Sequence, residues 1–213
     1  MENLCVSIFA DNYDYCIKVV KKYKLVELRL DKGLLSNTQL FDIISSGKEI
    51  ISTCRSGFIK NEYRYEILQN AINFGTNYID IEHNFPAKYK NKLFKTALES
   101  GTKIIHSYHN FEFTPDYNEL VRIGNLLLKK ADIIKIACKI KKRRDLQNII
   151  CLYKDIKPEN LIAFGLGNVG KVSRLSSLLM GSPFTYVSIK KEMETSEGQY
   201  DYKEMKEILY KLN

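Results

Sequence analysis

No apolar run in this sequence approaches the ~18 residues needed to cross a membrane as a helix, so no membrane span is expected. The cysteines Cys5, Cys16, Cys54, Cys138 and Cys151 are odd in number and show no CxxC spacing. That excludes a disulfide frame or a cysteine-ligated zinc site and predicts buried, reduced thiols. The first residues, Met-Glu-Asn-Leu-Cys, lack the basic and then apolar regions of a signal peptide. A cytoplasmic location is the expectation. Tryptophan is absent, prolines number four, and no linker or low-complexity tract interrupts the chain, so residues 1–213 are expected to form one domain.

Charge is abundant, with a formal net value of +8, which raises the question of a nucleic-acid partner. The basic residues are spread through 18–24, 88–95, 139–144 and 190–206, with no interleaved stripe of stacking aromatics. Single-strand binders carry such a stripe. A solvated lysine-rich surface with a modest attraction for small anions follows instead, and no nucleic acid is expected as a partner.

Short β-branched runs recur at 4–9, 25–31, 49–55, 78–82, 103–111, 132–138, 160–165 and 184–189. They begin roughly 20 to 30 residues apart, the length of a strand, a loop and a helix. Between them lie helical stripes: Ile67, Leu68, Ala71 and Ile72; Leu120, Ile123, Leu126 and Leu127; Met205, Ile208, Leu209 and Leu212. Pro86 and Thr114-Pro115 are helix-start signals. Strict alternation of strand and helix implies parallel strands with helical crossovers. Eight units in this length predict an α/β chain of the (β/α)8 TIM-barrel class. No Gly-rich dinucleotide turn follows the first strand, which weighs against an open doubly wound sheet.

A parallel strand buried on both faces should be apolar almost throughout. Here several break that rule with period two. Glu27, Arg29 and Asp31 share one face; Thr53 pairs with Arg55, Asp80 with Glu82, and Ser107 with His109; Lys135 interrupts Ile133-Ile134-Lys135-Ile136-Ala137. Burying an unpaired ion costs several kcal/mol, so these side chains are expected to point inward, toward the strand ends where barrel active sites lie. An internal ion-pair network accounts for Asp80 or Glu82 taken singly. Four carboxylates, two arginines, a lysine and a histidine together suit an active site for a polar, anionic molecule.

Lys135 is the most informative of them. Desolvation and neighbouring arginines such as Arg29 or Arg55 favour the free amine, and a free amine attacks a carbonyl to form an imine. His109 is the natural base for the acidified C–H beside that imine, since histidine titrates near neutrality.

These residues stand in motifs that resemble the type I 3-dehydroquinate dehydratase family along nearly the whole chain. The motifs are Glu27-Leu-Arg29-Leu-Asp31, Ser52-Thr-Cys-Arg55, Tyr78-Ile-Asp80-Ile-Glu82, Ser107-Tyr-His109-Asn-Phe111 and Asp132-Ile-Ile-Lys135-Ile-Ala137, then Gly170-Lys-Val-Ser173-Arg174-Leu and Gly181-Ser-Pro-Phe-Thr185. The resemblance implies that Lys135 forms a Schiff base with 3-dehydroquinate and that His109 moves the protons, giving 3-dehydroshikimate in the shikimate pathway. It further implies that Glu27, Arg29, Arg55 and Arg174 hold the substrate's hydroxyls and carboxylate, with Ser7, Thr195 and Gln199 as further contacts. Neither metal nor organic cofactor is implied, the partner is the small-molecule substrate, and a homodimer is expected.

The sequence departs from the family pattern at several points. Ile59 stands where the family has a glutamate, with Glu62 nearby; Phe164 and Leu166 replace two methionines, and Asn110 replaces an aspartate. Thr195-Ser196-Glu197-Gly198-Gln199 replaces Ser-Ala-Pro-Gly-Gln. The segment 190–199 lacks an apolar stripe and reads as a lid at the barrel mouth. Two other readings stay open: a class I Schiff-base aldolase, and a non-catalytic anion-binding barrel that needs Arg55 and Arg174 but neither Lys135 nor His109.

Overall fold

The computed structural model describes residues 3–57 and 59–212, so Met1 and Glu2 of the N-terminal reading lie outside the described residues. Two compact units are distinguished by their internal contacts, Val6–Ile105 and Met1–Cys5 with His106–Asn213.

The Val6–Ile105 unit alternates strand and helix. It holds most of β1 (Leu4–Phe9), then α1 (Tyr13–Lys22), β2 (Leu25–Arg29), α2 (Asn37–Ser46), β3 (Glu49–Thr53), α3 (Asn61–Asn73), β4 (Tyr78–Glu82), α4 (Ala87–Ser100) and the start of β5 (Lys103–Asn110). Within it the strands lie in the order β4-β3-β2-β1. Parallel pairing sets Glu27 beside Ile51, Arg29 beside Thr53, and Thr53 beside Asp80. Strands buried on both faces carry Val26, Leu28, Ile50, Ile51, Ile79 and Ile81. Helix α2 opens on a capping box. Ser36 Oγ accepts from the Gln39 amide at 3.2 Å and Gln39 Oε1 accepts from the Ser36 amide at 3.0 Å, satisfying two otherwise orphaned donors.

The second unit continues from β5 with α5 (Tyr117–Leu128), β6 (Ile133–Lys139), α6 (Arg143–Cys151), β7 (Leu161–Leu166), α7 (Lys171–Leu179), β8 (Thr185–Ser188), β9 (Tyr200–Asp201) and α8 (Tyr202–Leu212). Its core joins Leu120, Leu127, Ile134, Ile136, Ile149 and Leu161, each worth roughly 1.5–3 kcal/mol when fully buried. Among the described residues no helix is long and apolar enough to cross a membrane.

All eight expected strands are present, several of them shorter than the β-branched runs that signalled them. β2 stops at Arg29 because Leu30 enters a turn in which its carbonyl accepts from the Gly33 amide. β9 was not anticipated: two residues are too short to show a period. The Thr114-Pro115 signal lies ahead of α5, whose N-cap is Asp116, accepting from the Glu119 amide at 2.9 Å. Leu126, read as part of the α5 stripe, is 44% exposed, and Gly124 takes the buried place instead.

Candidate active site

Each unit gathers part of the charged set. In the Val6–Ile105 unit Glu27 is 3% exposed and centres one group. The hydroxyl of Ser7 on β1 donates to its carboxylate, and Thr53 Oγ1 donates to its other oxygen at 3.0 Å. Arg55, just past the end of β3, grips Asp80 with both terminal nitrogens, Nη1 reaching Oδ1 at 3.0 Å. Glu82 Oε1 lies 3.6 Å from the same guanidinium. Burial works against the Arg55 charge, but Asp80, Glu82 and Glu27 more than offset it and raise its pKa above the ordinary value. Arg29 is half-buried and turned onto Asp31, with Nε to Oδ1 at 2.9 Å and Nη2 to Oδ2 at 3.1 Å. Its guanidinium also lies over the Phe9 ring, 5.1 Å from the centroid.

In the second unit Lys135 is buried on β6, in register with Ile162 of β7. Its Nζ lies 3.8 Å from the ring centroid of Tyr186 on β8. Tyr186 meets Phe164 and Phe184 edge to face, at 6.2 and 5.5 Å between centroids. Phe164 in turn carries the guanidinium of Arg174 at 4.0 Å. One aromatic cluster thus bears two cations, Lys135 on Tyr186 and Arg174 on Phe164, a geometry that rings favour through their negative faces. Phe164 and Leu166, the residues in place of methionines, are both buried, and Phe164 belongs to that cluster.

His109 is half-buried near the end of β5, stacked on Phe111 with centroids 5.9 Å apart. His106, two turns of the pleat earlier than the strand end, is buried with Nδ1 3.2 Å from the Leu127 carbonyl, a packing role. Thr195 and Gln199 face each other. The Thr195 amide donates to Gln199 Oε1 at 2.8 Å, and Gln199 Nε2 donates to Thr195 Oγ1 at 3.3 Å. Arg174 Nη2 donates to Ser196 Oγ and to the Glu197 carbonyl, both at 3.3 Å.

Within units, then, Ser7 joins Glu27, and Lys135 joins Arg174 through the aromatic cluster, whereas Arg29 and Arg55 each turn to a separate aspartate. Glu62 takes no part. It accepts from the Tyr89 hydroxyl at 2.6 Å on the surface, a bond that lowers its pKa, and lies 3.9 Å from Lys88.

Two residues escaped the sequence reading. Arg64 on α3 is 2% exposed, donates twice to the Cys54 carbonyl at 3.1 and 2.9 Å, binds Glu82, and lies over the Phe85 ring at 4.4 Å. The signal was a charge four residues before Leu68, inside the apolar stripe of its helix. Tyr186 gave no signal, since an aromatic in a buried strand reads as core.

Comparison with known proteins bears on the chain as a whole. A family model described as Type I 3-dehydroquinase matches residues 4–213. A relative from Methanococcus vannielii, named 3-dehydroquinate dehydratase, is 34% identical over 217 residues, spanning 97% of this chain and 98% of its own. One of the same name from Methanocaldococcus jannaschii is 32% identical over 96% of each chain. The crystal structure of the 3-dehydroquinate dehydratase from Aquifex aeolicus superposes with a TM-score of 0.82 at 30% identity, covering 99% of this chain and 98% of that one. The type I enzyme of Clostridium difficile reaches 0.84 at 23% identity, over 99% and 92%. The fold is accordingly the α/β barrel of these proteins, as the eight-unit alternation anticipated.

Proposed function

The chain belongs to the type I 3-dehydroquinase family, and on that premise we propose that it removes water from 3-dehydroquinate to give 3-dehydroshikimate. The observation that carries the reading is Lys135, an amine buried in an apolar strand, set in the family motif and held against the face of Tyr186.

The Lys135 amine attacks the substrate ketone, water leaves, and a protonated imine forms on Nζ. That cation keeps the attraction of the Tyr186 face that the ammonium had. The imine withdraws electrons from the neighbouring C2, whose proton passes to His109. The C1 hydroxyl then leaves as water, taking a proton from the same histidine, and hydrolysis of the imine frees the enone product and the amine. Glu27, held by Ser7 and Thr53, accepts from substrate hydroxyls. Arg174 binds the carboxylate through its planar fork, with Arg29 and Arg55 supplying further positive charge. Thr195 and Gln199 turn from each other to substrate hydroxyls as the loop settles. No metal or organic cofactor enters these steps. In this reading residues 1–213 act as one catalytic domain, cytoplasmic and homodimeric.

Incubation with 3-dehydroquinate tests the reaction, because the conjugated enone product absorbs in the ultraviolet. Borohydride added with substrate should trap a covalent adduct on Lys135. Absence of the enone overturns the proposed reaction, and an adduct on another lysine overturns the assignment of the amine. Carbon–carbon cleavage without enone would mark an aldolase.

A further inference from the structure

The loop that carries Thr195 and Gln199 is tied down by Glu197. Glu197 stands where the resembled motif has proline, which would stiffen the backbone through its ring. Here the stiffening comes from an ion pair: Lys139 Nζ, at the end of β6, lies 2.6 Å from Glu197 Oε2. The backbone of the same residue is held as well, its carbonyl accepting from the Gly167 amide and from Arg174 Nη2, both at 3.3 Å. The Gly198 amide donates to Glu194 Oε2 at 3.1 Å. Gly198 has φ +80 and sits so close to the Gly167 backbone that a Cβ would fall 2.5 Å from its carbonyl oxygen.

We propose that Lys139 and Glu197 are a positioning pair for the reaction, holding residues 194–199 where Arg174 and Gln199 meet the substrate. Bonds of 3.3 Å from Arg174 to neutral oxygens are long, and a substrate carboxylate, whose hydrogen bonds are charge-assisted, displaces them. Once Arg174 turns to the substrate it no longer holds the Glu197 carbonyl. The ion pair, which substrate does not touch, then keeps the loop in place. With side chains 32% and 60% exposed the pair is modest in strength and screened by salt, which suits a contact that must open to release product.

The kinetic part of this proposal rests on the proposed function; the structural part is tested without substrate. Lys139→Met and Glu197→Gln should each speed hydrogen exchange at Gly167, Thr195 and Gly198 in the ligand-free protein, about two- to fivefold. With 3-dehydroquinate each should raise KM by a similar factor, about two- to fivefold, and leave kcat unchanged. The double variant Lys139→Glu with Glu197→Lys should recover both. Unchanged exchange in both single variants, an unchanged KM with only a lowered Tm, or a charge-swapped protein no better than the singles overturns the pair. If the unaltered chain leaves 3-dehydroquinate untouched, the proposed reaction fails, and hydrogen exchange alone then judges the pair.

Discussion

In the proposed reaction Lys135 and His109 divide the chemistry in a way that single substitutions separate. Lys135→Met keeps the length and apolar stem of the side chain between Ile134 and Ile136, both fully buried. The circular dichroism spectrum should be unchanged while enone formation falls to background; residual turnover near the normal rate would show that the amine is not needed. His109→Ala leaves the amine free to attack but removes the proposed base. Turnover should drop by at least ~100-fold, the lower end for general acid–base catalysis, while borohydride captures more imine than in the parent protein. Near-normal turnover would give proton transfer to another group. The sequence singled out both residues as candidates because a polar group in a doubly buried strand has few structural reasons to be there. Tyr186 was not legible, as its ring is what such a strand ordinarily carries.

At the level of the element, β3, β4 and α3 share one ionic arrangement. Arg55 grips Asp80 from the end of β3, Glu82 of β4 lies between Arg55 and Arg64, and Arg64 reaches from α3 to the Cys54 carbonyl. Asp80→Asn removes the bidentate charge partner of a buried guanidinium. Breaking such a pair costs about 3–5 kcal/mol, and the lower end is expected, near about 3 kcal/mol, because Glu82 remains 3.6 Å away. Urea unfolding measures it. A loss under about 1 kcal/mol would mean that Glu82 and Glu27 hold the Arg55 charge by themselves. Period-two spacing disclosed the strand members of this group but not Arg64, because on a helix the same face recurs at three to four residues and Arg64 sits within an apolar stripe. For the same reason Leu126 was assigned inward: neighbours at 123 and 127 set the stripe, and which flank it covers depends on what packs there.

For the molecule as a whole, burial of thiols makes an alkaline limit. Burial pushes Cys16 up to about 11 and Cys54 and Cys138 up to about 12, from an ordinary 9.0. Their folded-state pKa values lie above the unfolded ones. The stability they contribute is therefore complete below pH 9.0 and is lost as pH rises through the folded values. The urea midpoint should fall between pH 8 and pH 10.5, and replacing the three cysteines with alanine should flatten that fall. An equal fall in the triple variant would place the alkaline limit elsewhere. The amino-acid sequence by itself determined the alternation of strand and helix, the strand faces that carry charge, and the motifs of the family. Each of these is written in local spacing, where a shift of one residue would turn every side chain to the other face. Only the tertiary structure decided which charge meets which. Arg55 takes Asp80 rather than Asp31, Arg64 reaches across to Glu82, and Lys139 finds Glu197 58 positions away. Those choices depend on strand register and on distances of a few ångströms across the fold, and neither is written in the spacing of residues along the chain.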